Sequence, residues 1–266
     1  MKIGFIGAGN MGGAILRGYL ETAKAANHNL LVFGVNHDKL AATCEETGAA
    51  AYTDVEEIVR DSDVFLIGVK PGMYDEVMPK IASAYTKDKV CVSMAAGISI
   101  DFIESFLGDE AAIVRIMPNT PAQVGEAMTS VSFNENVKVE DREMLINIFR
   151  SIGKAEVVDE MMIHTVIGVS GSSPAYTYMY IDALAKTAES CGMEYEQAKI
   201  FAAQAVLGAA KMVLENDISP EQLRINVCSP GGTTLEAVKN LQDEDFEGVV
   251  ARSFMAAVEK SKKMER

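Results

Sequence analysis

The sequence predicts an α/β fold: a doubly wound parallel sheet over residues 1–158, followed by a smaller all-α domain over residues 159–266. Three observations carry this. Short β-rich apolar runs alternate with helix-like segments as far as residue 158. A glycine-rich turn, Gly7-Ala8-Gly9-Asn10-Met11-Gly12, closes the first apolar run and opens an amphipathic segment. From Met161 onward the strand-like runs stop and the pattern is helical.

The elements follow in order. Ile3-Gly4-Phe5-Ile6 reads as a buried parallel strand, and the helix after the turn carries Met11, Ile15, Leu16 and Leu20 at a spacing near 3.6. Gly7 permits the tight turn, Gly9 lets backbone approach a pyrophosphate, and Gly12 allows close helix–strand packing, while the helix N-terminus offers free N–H groups to an anion. Further strands are expected at Leu30–Val35, Val64–Val69, Val90–Met94 and Ala112–Met117, with helices beginning near His37, Asp54, Met73 and Ile98. Asp54 and Ser99 are expected N-caps. Residues 126–158 add a strand, a helix and the short strand Ala155–Val158. Breaks at Gly171-Ser172-Ser173-Pro174, Gly192, Ser219-Pro220 and Ser229–Gly232 then divide the helical region.

Composition excludes several classes. Lys and Arg number 24 against 38 Asp and Glu, a net charge of −14, which argues against a nucleic-acid partner. No apolar stretch is long enough to span a bilayer, and a strand starting at Lys2 leaves no room for a signal peptide, so no membrane association and a cytoplasmic location are expected. Cys44, Cys91, Cys191 and Cys228 are scattered without ligand spacing, which points to buried reduced thiols and to no metal.

Three loops follow strand ends, where open α/β sheets bind ligands. They are Val69-Lys70-Pro71-Gly72, Ala95-Ala96-Gly97 and the proline-stiffened Arg115-Ile116-Met117-Pro118-Asn119-Thr120-Pro121, in which Asn119 and Thr120 offer neutral hydrogen-bonding groups. Helical faces bearing Tyr176, Met179, Tyr180 and Leu184, then Ala198, Phe201, Ala202, Ala205 and Met212, suit burial in a dimer.

Taken with Gly171–Tyr176 and Ser229-Pro230-Gly231-Gly232-Thr233-Thr234, these motifs resemble, in order and over nearly the whole chain, the Δ1-pyrroline-5-carboxylate reductases. The resemblance implies a Rossmann domain that binds NAD(P)H, an interlocked helical dimer often assembled into larger rings, and a site between the cofactor domain and the helical domain. It implies that Val69, Lys70, Pro71, Ala95, Ala96 and Gly97 line the nicotinamide half, and that Asn226, Gly231, Gly232, Thr233 and Thr234 hold the substrate, a small cyclic imine with a carboxylate. A glycine turn at a helix N-terminus suits that carboxylate. Thr234 is the best-placed hydroxyl to orient the imine nitrogen or relay a proton, with Ser172 second; no strong acid is needed. His28, His37 and His164 lie in no matching motif and are expected to be solvated or structural.

The chain departs from the family pattern at Ser173, Ala127 and Val55, where glycine, glycine and an adenosine-contacting asparagine are frequent. Neutral Asn36 at the end of the second strand, with His37 and Lys39 beside it, favours NADPH while leaving NADH usable. A β-hydroxyacid dehydrogenase would need a lysine in the stretch Gly171–Thr177, which has none, and a non-enzymatic NAD(P) sensor would have no use for the Ser229–Thr234 turn.

Overall fold

The computed structural model describes residues 1–22 and 28–266. They form two compact units, Met1–Ser172 with Ala257–Arg266, and Ser173–Ala256.

The first unit is built on an eight-stranded sheet. Its strands are β1 (Lys2–Ile6), β2 (Asn29–Phe33), β3 (Ala50–Tyr52), β4 (Val64–Ile67), β5 (Val90–Ser93), β6 (Ala112–Met117), β7 (Ala127–Phe133) and β8 (Gly153–Val157). Their order is β3-β2-β1-β4-β5-β6-β7-β8. The chain order therefore reverses between β1 and β4, opening a crevice beyond their carboxyl ends. The pairings are parallel except for β6 against β7, which is antiparallel. The reason is length: the link from Met117 to Ala127 is shorter than the dozen or so residues a parallel crossover needs. Strand β3 escapes sequence reading because it is three residues long and contains two alanines, which are weak strand formers.

Helices cover both faces. On one side α1 (Asn10–Leu20) and, after α2 (His37–Thr47), α6 (Val139–Arg150) bury Ile15, Leu16, Leu145 and Phe149 against Ile3, Phe5, Val114 and Ile116. On the other, α3 (Val55–Asp61), α4 (Tyr74–Ala84) and α5 (Ile100–Leu107) bury Ile58, Met78 and Ile103 against Ile6, Phe65 and Cys91. Asp54 caps α3 by accepting from the N–H groups of Glu56 (2.7 Å) and Glu57 (3.2 Å). Ser99 caps α5 through the Phe102 N–H at 3.0 Å. Val55 is buried under α3, with its side chain in the core. Strands buried on both faces read as continuous apolar runs, which is why the parallel core was visible in the sequence.

The sheet ends at Val157, close to the expected boundary at residue 158, but the compact unit continues through the short helix α7 (Ile163–Val166) and a widened turn at Ile167–Gly171, and regains residues 257–266. The physical cause is Arg115. It stands on β6 with no side-chain exposure, and Nη1 donates to Glu160 Oε1 (2.7 Å) and Glu265 Oε1 (2.9 Å). Both carboxylates lie beyond the last strand, and the buried guanidinium holds them to the sheet.

The second unit contains α8 (Ser173–Ser190), α9 (Tyr195–Glu215), α10 (Pro220–Val227), α11 (Thr233–Asp243) and the start of α12 (Phe246–Met264). From α8 to α11 only Ala185, Ala198 and Ala202 are buried. Met179 (74% exposed), Phe201 (62%) and Leu214 (63%) stand open.

The cysteines correct one expectation. All four are free, but only Cys91 is buried; Cys44 and Cys228 are half-buried and Cys191 is exposed near the end of α8. Apolar burial pushes the Cys91 thiol up and makes it inert.

Candidate functional site

The turn after β1 is shaped around the carbonyl of Gly7. Gly7 has φ +96°, a left-handed conformation that glycine adopts without strain. A Cβ at Gly12 would sit 2.5 Å from the Gly7 oxygen, and one at Gly68, after β4, would also overlap it. Gly12 therefore serves the turn itself more than a contact between α1 and the strand. A Cβ at Gly9 would meet nothing within 4 Å, so the space above it is open. Gly9 is also the N-cap of α1, without a side-chain cap and with no acidic residue in the first turn. Ala8, Asn10 and Met11 are at least partly exposed beside it. Free N–H groups at the end of an eleven-residue helix, next to open space, can hold a pyrophosphate.

Beside this turn lies a cavity of about 190 Å³ whose wall includes Gly7, Gly9, Asn36, Lys39 and Thr43. Asn36 ends the β2 connection and caps α2, its Oδ1 accepting from the Lys39 N–H at 2.9 Å. Its amide NH₂ is left to meet a ligand. Lys39 is on the wall, whereas His37 and Asp38 are not.

Two further loops complete the carboxyl edge. Val69 is half-buried and Lys70 exposed, with Pro71 opening a tight helical turn to Met73. Ala95 is buried, Ala96 half-buried, and Gly97 left-handed at φ +77°. Beneath them, Tyr74 Oη and Ser93 Oγ are 2.9 Å apart in the core. Burial pushes the Tyr74 phenol well above its ordinary value, so it stays un-ionised at neutral pH. Asn119 likewise proves structural: its amide donates to Ser170 O (3.0 Å) and its Oδ1 accepts from the Met128 N–H (2.9 Å). Ser172, at the end of the first unit, is half-buried, and its N–H donates to Ile167 O at 2.8 Å.

In the second unit, Gly231 is left-handed at φ +70°, and the Gly232 N–H returns to Ser229 O at 2.9 Å. Gly232 then N-caps α11 without a side-chain cap, so the first N–H groups of the helix are uncommitted. Thr233 is exposed and Thr234 half-buried; among the described residues neither hydroxyl caps the helix. Asn226, on α10, is exposed and accepts from Gln222 Nε2 at 2.9 Å, which leaves its NH₂ free. This turn can bind a carboxylate through converging N–H groups and the helix dipole.

What the sequence reading missed is the support behind the loops. Arg115 interrupts the apolar run Ala112–Met117, and a lone charge in a strand buried on both faces was the available signal. His164 is structural, as expected: Nδ1 meets Ser261 Oγ and Nε2 meets Glu265 Oε2, each at 2.9 Å. Among the described residues no cluster of His, Cys, Asp or Glu could hold a metal ion, and no helix is long and apolar enough to cross a membrane.

Comparison with known proteins joins the two units. Residues 160–264 match the family described as pyrroline-5-carboxylate reductase dimerisation, and residues 2–97 match that described as NADP oxidoreductase, coenzyme F420-dependent. Pyrroline-5-carboxylate reductase from Escherichia coli K12 is 46% identical over 265 residues, covering 100% of this chain and 98% of its own. The structure of the Coxiella burnetii pyrroline-5-carboxylate reductase superposes with TM-score 0.92 at 34% identity, over 99% of this chain and 98% of that one. The Plasmodium falciparum pyrroline carboxylate reductase, solved with NADP bound, superposes at 0.88 with 31% identity, over 100% and 98%. At this identity and over this much of both chains the likeness is decisive: this chain belongs to the pyrroline-5-carboxylate reductase family.

Proposed function

We infer that the chain is an NAD(P)H-dependent imine reductase that converts 1-pyrroline-5-carboxylate to L-proline, the last step of proline biosynthesis. One observation carries this reading: a chain with the glycine cradle at Gly7 also bears the uncapped Gly231–Thr234 helix start, and its full-length relative at 46% identity is a pyrroline-5-carboxylate reductase. The chain cradles the pyrophosphate on Gly7–Gly12, meets the adenosine half with Asn36 and Lys39, and lines the nicotinamide half with Val69, Lys70, Pro71, Ala95, Ala96 and Gly97. Bound NAD(P)H supplies the hydride. The N–H groups of Gly231 to Thr233 and the Asn226 amide grip the substrate carboxylate, which fixes the ring. The Thr234 hydroxyl orients the imine nitrogen, with Ser172 as a second polar neighbour. Once the imine nitrogen is protonated its carbon is already a good electrophile, so the residues contribute proximity and orientation more than acid catalysis.

The functional unit is a homodimer formed through α8–α12, and rings of dimers are built from it. The dimerisation family match and the nearly coreless helices support this. Each exposed Phe, Leu or Met gains about 1.5–3 kcal/mol on full burial, enough for a dozen such side chains to hold an obligate interface. The cytoplasm is the expected compartment, in keeping with four free cysteines.

The test is oxidation of NADPH with 1-pyrroline-5-carboxylate as sole electron acceptor, run alongside a β-hydroxyacid with NADP. Turnover of the imine alone is the expected result. Turnover of the hydroxyacid alone, or cofactor binding without turnover, would replace the reading with a dehydrogenase or a sensor. Light scattering at dilute concentration should find a dimer; an active monomer would defeat that part.

A further inference from the structure

Arg266 bridges the Ala95–Gly97 loop and the first turn of the helix that follows the Val69–Pro71 loop, the two loops assigned to the nicotinamide half of the cofactor. Its backbone N–H donates to Gly97 O at 2.8 Å, and its carbonyl accepts from the Ser99 hydroxyl at 2.6 Å and the Ser99 N–H at 3.3 Å. Its guanidinium reaches the other way. Nη2 donates to Asp75 Oδ1 at 2.5 Å, in the first turn of α4, directly after the Lys70–Met73 turn. The same group lies over the Phe102 ring, 4.8 Å from its centroid. One residue earlier, Glu265 is anchored to buried Arg115 and to His164, each at 2.9 Å. The fit is close on the loop side as well: a Cβ at left-handed Gly97 would lie 2.5 Å from Met264 O.

Loops made of Gly, Ala and Pro have few side chains with which to hold themselves in place. Here the hold comes from another part of the chain. We propose that Glu265 and Arg266 form a staple that locks the Val69–Pro71 and Ala95–Gly97 loops to one another and so sets the position of the nicotinamide ring; Arg266 is a positioning residue and Glu265 its anchor. This rests on the reading that those loops line the nicotinamide. The Asp75 ion pair and the Phe102 contact are partly exposed and individually weak, so they tune a geometry that the two backbone hydrogen bonds define. Small displacements at this point matter because hydride transfer demands near-contact of donor and acceptor atoms.

The experiment compares Arg266→Ala, Arg266→Lys and Ala96→Leu in the full chain. Readouts are kcat, KM for NADPH, thermal midpoint, and inhibition by adenosine 2′,5′-bisphosphate, which carries no nicotinamide. Arg266→Ala should raise KM for NADPH and lower kcat by about fivefold combined, the effect of losing two weak contacts. Inhibition by the bisphosphate and the thermal midpoint should be unchanged, and Arg266→Lys, which keeps the ion pair, should recover most of the loss. Ala96→Leu should weaken NADPH and spare the bisphosphate. If Ala96→Leu does so while Arg266→Ala is kinetically silent, the staple is wrong and the loop assignment stands. If Ala96→Leu is silent, the loop assignment fails and takes the staple with it. Equal loss of NADPH and bisphosphate binding in Arg266→Ala would mean general loosening and would also overturn the proposal.

Discussion

Replacing Thr234 by alanine isolates the one hydroxyl proposed to act at the reacting end of the substrate. Thr234 is the second residue of α11, half-buried, and among the described residues its hydroxyl caps nothing. Folding should therefore lose nothing; alanine's better helix propensity gains up to about 0.7 kcal/mol. Turnover should behave differently. A positioned hydrogen bond made in the transition state is commonly worth about a hundredfold in rate, or about 2.7 kcal/mol. Because the dinucleotide turn belongs to the other unit, KM for NADPH should be unaltered. Steady-state kinetics with 1-pyrroline-5-carboxylate, paired with thermal unfolding, gives both numbers, and Thr234→Ser should restore most of the rate. A kcat within about threefold of the parent, less than about 0.7 kcal/mol, would refute the reasoning and assign the work to the backbone N–H groups.

Other expectations follow from the same geometry. With Asn36 and Lys39 on the cavity wall, kcat/KM for NADPH should equal or exceed that for NADH, and Lys39→Glu should shift the ratio toward NADH about tenfold; a parent that prefers NADH by more than about tenfold contradicts this. Removing both partners of Arg115, as Glu160→Gln with Glu265→Gln, strands a buried cation and should cost about 3–5 kcal/mol in urea unfolding, whereas adding Arg115→Met should recover most of it; equal stabilities would show that the cluster carries no such energy. Burial pushes the Glu265 carboxyl up, but hydrogen bonds from Arg115 and His164 outweigh it and hold the group below its ordinary 4.5. Its stabilisation is therefore complete above the unfolded-state value and lost as pH falls through the folded one, so stability should decline on the acid side of about pH 4.5, and less steeply in Glu265→Gln. Parallel slopes would contradict that assignment.

Most of the first unit was visible in the sequence for a simple physical reason. Parallel strands buried on both faces write themselves as Val, Ile and Phe runs, and Asp54 and Ser99 announce helices because an oxygen must satisfy their first N–H groups. The glycine turn was legible for the same kind of reason, since bare backbone at Gly7, Gly9 and Gly12 has few uses. Less visible was anything that depends on distant partners. The antiparallel β7 follows from the length of a link, not from residue pattern. Asn119 looks like a ligand group in sequence, but both ends of its amide are consumed by Ser170 and Met128. Arg115 hides in what reads as one more apolar strand, and nothing local to Glu265 announces that it returns to the sheet.

That return sets the order in which the molecule can be completed. Glu265 follows Arg115 by 150 residues, so during synthesis at roughly 5–20 residues per second the guanidinium waits on the order of 8–30 s for its second carboxylate. Once Glu160 has been made the sheet is complete but its buried charge is only half-matched, and the Gly97 loop still lacks its backbone partner from Arg266. A nascent chain should therefore become competent for tight cofactor binding only once Glu265 and Arg266 have joined the sheet, long after the glycine turn itself has been made.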